Sequence, residues 1–159
     1  MATKILLLGS YNGQDSLGDK CLLKAVTRRC RDAFGSDVRL VTHVVDTAEL
    51  AGPLAPVGIE ARYGVQTYFW KWEAWLSRFI RSKALLHRLT WATFSRFGRM
   101  LMRLRPGSRR ALQDVEEADG IVIYGGTNFS RQWWWLQNPP YTLCRRWSGA
   151  PVFLAPQQY

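Results

Sequence analysis

Residues 4–19 read KILLLGSYNGQDSLGD, and the fold turns on how this stretch is understood. Ile5, Leu6, Leu7 and Leu8 form an apolar run without alternation, the pattern of a strand covered on both faces in the middle of a parallel sheet. Gly9 closes the run, and a loop punctuated by glycine and asparagine follows. Asp19 suits the N-cap of a helix from about residue 20 to 34, where a carboxylate accepts from backbone N–H groups one turn in. Leu22, Leu23, Val26 and Cys30 share the inward face of that helix, and Gly35 ends it. Residues 38–45 read as a second strand leading to Asp46. Strand, helix and strand at this spacing make a βαβ unit.

Further along, residues 47–66 hold two prolines and three glycines and read as a connection. No proline interrupts 68–104, which predicts a long helix or a helix pair. At about 100° per residue, Lys71, Arg78, Arg81, Arg88, Arg96, Arg99 and Arg103 share one arc. Trp72, Leu76, Phe79, Leu86, Phe94, Phe97, Leu101 and Leu104 gather on another. A short helix beginning at Ser108 or Asp114 and running to Ala118 is expected next. Residues 120–124, GIVIY, are a second buried strand and lead into Gly125 and Gly126. Residues 133–147 are expected to be helical in their latter part, and 150–155 to form a last strand. Strands alternating with helices indicate an α/β sandwich around a parallel sheet, with both glycine loops on the carboxyl edge where ligands bind such sheets.

The size, 159 residues and 18.3 kDa, suits one domain, and 47% hydrophobic residues exclude wholesale disorder. The net charge of +10 is concentrated: residues 62–110 hold twelve of the 22 Lys and Arg, against the single acid Glu73, together with four of the eight tryptophans. Three widely spaced cysteines form neither a disulfide framework nor a metal knuckle, so no metal site is expected and a reducing, cytoplasmic setting fits. No run approaches the roughly 18 apolar residues of a spanning helix.

The loop after Gly9 has two open readings, a structural turn with an N-cap or a ligand loop. It is not a P-loop, because Gly18 is followed by Asp19 and Lys20 where that motif needs Lys and then Ser or Thr. Gly125 and Gly126 serve equally a tight turn or close ligand approach, and Asn128 is the group best placed there for a sugar hydroxyl. His43 and His87 have no nucleophile or metal-ligand spacing around them and read as core or surface residues. The basic, tryptophan-rich segment is a solvated face, a nucleic-acid surface or a peripheral membrane helix. The last is favoured, because Trp72 beside Arg78, Arg81, Arg88, Arg96 and Arg99 matches an interfacial helix on anionic lipid. Nucleic acid is the weaker reading, since no recognised binding motif accompanies the charge.

Taken in order, the motifs resemble the polysaccharide pyruvyl transferase family. That family opens with a strand, a glycine- and asparagine-rich loop and a Gly-Asp pair, here residues 5–19. It continues with an Ala-Asp-x-x-Ile-x-Gly-Gly segment, here ADGIVIYGG at 118–126, and then a strand beginning Pro-Val before a Gln-containing turn, here PVFLAPQ at 151–157. The resemblance implies a Rossmann-like sheet like the N-terminal domain of a GT-B-type transferase. The implied reaction passes a pyruvyl group from phosphoenolpyruvate to a cell-surface saccharide, possible acceptors including lipid-linked ones, with no further cofactor. It also implies that Asn12, Gly13, Asp15, Gly18, Gly125, Gly126, Asn128 and Gln157 hold the acceptor and that Asp19 serves as base. Thr127 departs from the third glycine common in the family. The chain stops where a crossover to a second domain is expected, so the resemblance places the phosphoenolpyruvate site in that further half and makes this chain the acceptor side, working at the inner membrane face. Two other classes stay open. One is a non-catalytic saccharide- or lipid-binding module. The other is a nucleotide-binding Rossmann protein with Asp46 on the ribose, against which the missing G-x-G-x-x-G counts.

Overall fold

A parallel sheet is built from β1 (Lys4–Gly9), β2 (Arg39–Val44), β3 (Ile59–Tyr63), β4 (Gly120–Tyr124) and β5 (Val152–Leu154), side by side in the order β3-β2-β1-β4-β5. The helices are α1 (Leu17–Phe34), α2 (Val65–Leu76), α3 (Lys83–Leu104), α4 (Pro106–Glu116) and α5 (Trp134–Ser148). The structure is a computed structural model and describes residues 2–9, 17–44, 58–124 and 134–155.

Every residue of β1 is buried, because its side chains alternate between two cores. Ile5 and Leu7 pack with Leu23, Val26 and Cys30 of α1, while Leu6 and Leu8 face Phe69, Phe94, Leu112 and Leu143 from α2 to α5. A fully buried leucine contributes about 1.5 to 3 kcal/mol. Three adjacent leucines and Ile5 therefore fix β1 at the centre and make a slip in register costly. The chain steps from β1 through α1 to β2 and on to β3, then returns past β1 to β4 and β5. Parallel crossovers are right-handed, so reversing direction carries the connecting helices to the other face. The result is a Rossmann-like α/β fold whose direction reverses between β1 and β4.

Lys4 and Asp119 clamp the amino ends of these two strands. The Lys4 backbone N–H donates to the Asp119 carboxylate at 2.8 Å, and the Asp119 N–H donates to the Lys4 carbonyl at 2.9 Å. The Asp of the ADGIVIYGG segment thus has a backbone-fixing role at the opposite end of β4 from the glycines.

Several expectations change. Residues 47–66 are not connection throughout: they include β3, whose five residues alternate, Ile59 and Ala61 packing on the α1 side while Glu60 and Arg62 turn to the opposite face. The helix after β1 starts at Leu17, so Asp19 lies in its first turn rather than at its N-cap. The propensity cost of Gly18, about 1 kcal/mol, is outweighed once Leu23, Val26 and Cys30 dock. The 68–104 segment is a helix pair starting at Val65, and the single wheel drawn through it fails because the helix breaks between Leu76 and Lys83. Ser82 restarts it as the cap of α3, its hydroxyl accepting from the Leu85 N–H at 3.4 Å. The short fourth helix begins with Pro106 at its first position, where the missing N–H costs nothing. Gly35 does close α1, with φ at +92° and its N–H bonded to the Arg31 carbonyl. No helix among the described residues is long and apolar enough to cross a membrane.

Candidate functional site

The strand order reverses between β1 and β4, and the carboxyl ends of strands at such a reversal are where open α/β sheets bind ligands. Gly9 and Tyr124 are register partners there, so the loops that follow both strands leave the sheet side by side. The Tyr124 ring lies directly against Gly9, in the space a Cβ would fill. Glycine is therefore required at the end of β1 if the large, buried Tyr124 is to pack across it. β5 ends at the same level: Leu154 pairs with Ile123, and the Ala155 N–H donates to the Ile123 carbonyl at 2.9 Å. The three segments singled out in the sequence consequently leave one edge of the sheet from three adjacent strands.

Asn12, Gly13, Asp15, Gly125, Gly126, Asn128, Gln157 and Asp46 lie outside the described residues. Gly18 and Asp19 belong to the first turn of α1. Beside this edge a cavity of about 750 Å³ lies between α5 and β5, lined by Tyr141, Thr142, Arg145, Pro151 and Leu154 among others. Arg145 gives it a cation in the last turn of α5. Burial pushes the Tyr141 phenol well above its usual range, with smaller contributions from Tyr124 and Cys144, so it acts as a neutral hydrogen-bonding group. Burial likewise pushes the Cys144 thiol up to about 12 and raises Cys30, which leaves both as inert packing groups; Cys21 is exposed.

A second polar assembly, absent from the sequence reading, lies under α4. Asp114 is 1% exposed and receives Lys4 Nζ at 2.9 Å and Arg62 Nη1 at 2.7 Å, with His43 Nε2 at 3.8 Å. Glu60 joins Arg62 to Arg39, and Glu117 meets Lys4 at 3.1 Å. Burial alone would push the Asp114 carboxyl up, but the facing His43 and Lys4 outweigh it and hold it at about 2. The group is therefore ionised at neutral pH. His43 is buried at 2% exposure and serves this network, in keeping with a core role. One signal pointed to the assembly: a lysine opening an otherwise apolar buried strand needs a buried acid.

The basic segment divides. Trp72 is half-buried and packs against the core, with ring centroids 5.3 Å from Trp75 and 6.5 Å from Phe94. Arg99 is likewise engaged, donating with Arg103 to Glu116 of α4. Arg78, Arg81, Arg88 and Arg96 are exposed. Among the described residues no group of His, Cys, Asp and Glu could hold a metal ion.

Comparison with protein-family models, with curated proteins and with solved structures found no match to this chain.

Proposed function

We propose that this chain is the acceptor-binding part of a polysaccharide pyruvyl transferase. The observation that supports the reading is the common edge: the strands that lead into the three family-like segments are adjacent, and they end at the reversal of strand order. In this reading Asn12, Asp15, Asn128 and Gln157 hold the saccharide by its hydroxyls, the glycines let it approach the backbone, and Asp19 takes the proton from the attacking hydroxyl. One hydroxyl oxygen adds to C2 of phosphoenolpyruvate while its methylene carbon gains a proton. A second hydroxyl then displaces inorganic phosphate from the same carbon and completes a ketal. The phosphoenolpyruvate and the cations that its leaving phosphate needs are assigned to a further part of the protein.

The test is to express the whole reading frame and incubate it with phosphoenolpyruvate and candidate lipid-linked and free saccharides. Phosphate release that requires the saccharide, with a ketal methyl group in the product, is the expected outcome, and Asp19→Asn should lower the rate about 100-fold or more. Saccharide binding without phosphate release would replace the transferase with a non-catalytic binding module. Saturable quenching of tryptophan fluorescence by a dinucleotide, with no saccharide binding, would favour a nucleotide-binding protein.

A further inference from the structure

The outward surface of α2 and α3 is made of two kinds of side chain. Trp75 and Phe79 stand exposed at the end of α2 and beyond it, their rings 5.5 Å apart, with Phe79 at 73% exposure. Leu89, Phe97, Met100 and Leu104 are exposed along α3, close enough in helical angle to lie on one side of that helix. With a rise of about 1.5 Å per residue the span from Leu89 to Leu104 is about 22 Å long. Every exposed charge on this hairpin is positive. Arg78, Arg81, Arg88 and Arg96 stand exposed, and Arg96 lies 5.8 Å from the Phe97 ring centre. The one acid, Glu73, is 17% exposed and turns inward to His87 at 3.6 Å.

We propose that this face docks on an anionic lipid surface, with Trp75, Phe79 and Phe97 entering the interface and the four arginines meeting lipid phosphates. Large apolar side chains exposed on one side of a surface helix are costly in water unless something covers them, and the charge complement identifies the cover. A second copy of this chain would bring the same cations against them. A nucleic acid would accept the arginines but gains nothing from Leu89, Met100 or Leu104, which cannot stack on bases as aromatic rings do. Lipid satisfies both kinds of side chain, because a helix in the membrane interface buries its apolar face among acyl chains and keeps its basic flank at the headgroups. This inference is independent of the reaction assigned to the sheet edge.

The experiment is co-sedimentation of the chain with phosphatidylcholine vesicles made with and without phosphatidylglycerol, at low and high salt. Binding at least about tenfold tighter to the anionic vesicles, weakened by salt, is expected. Arg88→Glu with Arg96→Glu should lose about tenfold or more of it. Phe79→Ser with Phe97→Ser should lose the part that survives high salt, whereas Arg39→Gln, on the sheet, should bind as the parent chain does. All these side chains are exposed, and a circular dichroism melt confirms that each variant is folded. Equal binding to neutral and anionic vesicles, binding to neither, or unchanged binding by both paired variants would overturn the proposal. So would a dimer that Phe97→Ser dissociates, or an RNA affinity that exceeds the vesicle affinity and depends on the same arginines.

Discussion

Arg62 and Arg96 are the same residue type in two opposite settings. Under α4, Lys4, Arg39 and Arg62 face Asp114, Glu60 and Glu117, three cations balanced by three anions at one place. On the α2–α3 surface the exposed charges are cations only. The charges around Asp114 are matched locally by the fold, as are Arg99 and Arg103 by Glu116, whereas Arg78, Arg81, Arg88 and Arg96 are left for something else to match. The total of +10 conceals that distinction.

The sharpest way to break the contrast is Asp114→Asn, which leaves Lys4 and Arg62 buried beside a neutral amide. A loss of about 3 to 5 kcal/mol in urea unfolding is expected. Replacing the pair together, Lys4→Met with Asp114→Leu, should recover much of it. A loss under 1 kcal/mol for the single variant would mean that the network contributes little to stability. Gly9→Ala comes next, at about 2 kcal/mol, since its methyl group must displace the Tyr124 ring. The pH dependence is of similar size. Asp114 has a folded value near 2, below its ordinary one, so its contribution is complete above about pH 4 and is lost as pH falls through 2. About 2 kcal/mol should go over that window, and Asp114→Asn should abolish this part of the acid slope. Arg39→Gln removes a half-exposed pair with Glu60 and should cost less than about 1 kcal/mol. Arg88→Gln and Arg96→Gln should change stability by no more than about 0.5 kcal/mol, as befits exposed side chains.

The same contrast explains what the sequence made legible. β1, α1 and β4 could be read because their burial is apolar and their periods are clean: KILLLG, the Leu23–Val26–Cys30 face, and GIVIY. β3 is harder to read: IEARY alternates as a half-buried strand does, but its five residues follow Pro53, Pro56 and Gly58 closely and blend into the connection. The break after Leu76 was equally hidden. Neither proline nor glycine marks it, and the capping hydroxyl of Ser82 is a local signal easily lost in a continuous apolar arc. Trp72 and Phe94 share the apolar arc of that wheel even so, and their rings meet across the break at 6.5 Å. At the candidate site the placement of both glycine loops on the carboxyl edge could be inferred from alternating elements, while the strand order β3-β2-β1-β4-β5 could not. Which side chains meet a ligand there depends on loops whose local sequence permits several turns, as Gly125 and Gly126 illustrate.

The clamp between Lys4 and Asp119 carries a consequence for assembly in time. β1 and β2 are joined by a single helix, so their pairing closes a short loop. Bringing Asp119 to Lys4 closes one of 115 residues that includes α2, α3 and α4. The entropy of that closure is recovered only once those helices have packed on Leu6 and Leu8, which makes the β1–β4 seam the slow step of folding. In pulse-labelled refolding, amide protection should reach Leu40 and Val41 before Ile121 and Val122, and the reverse order would refute this sequence of events. Weakened packing of α2–α4 would then part β1 from β4 first, ahead of the half of the sheet formed by β1 and β2.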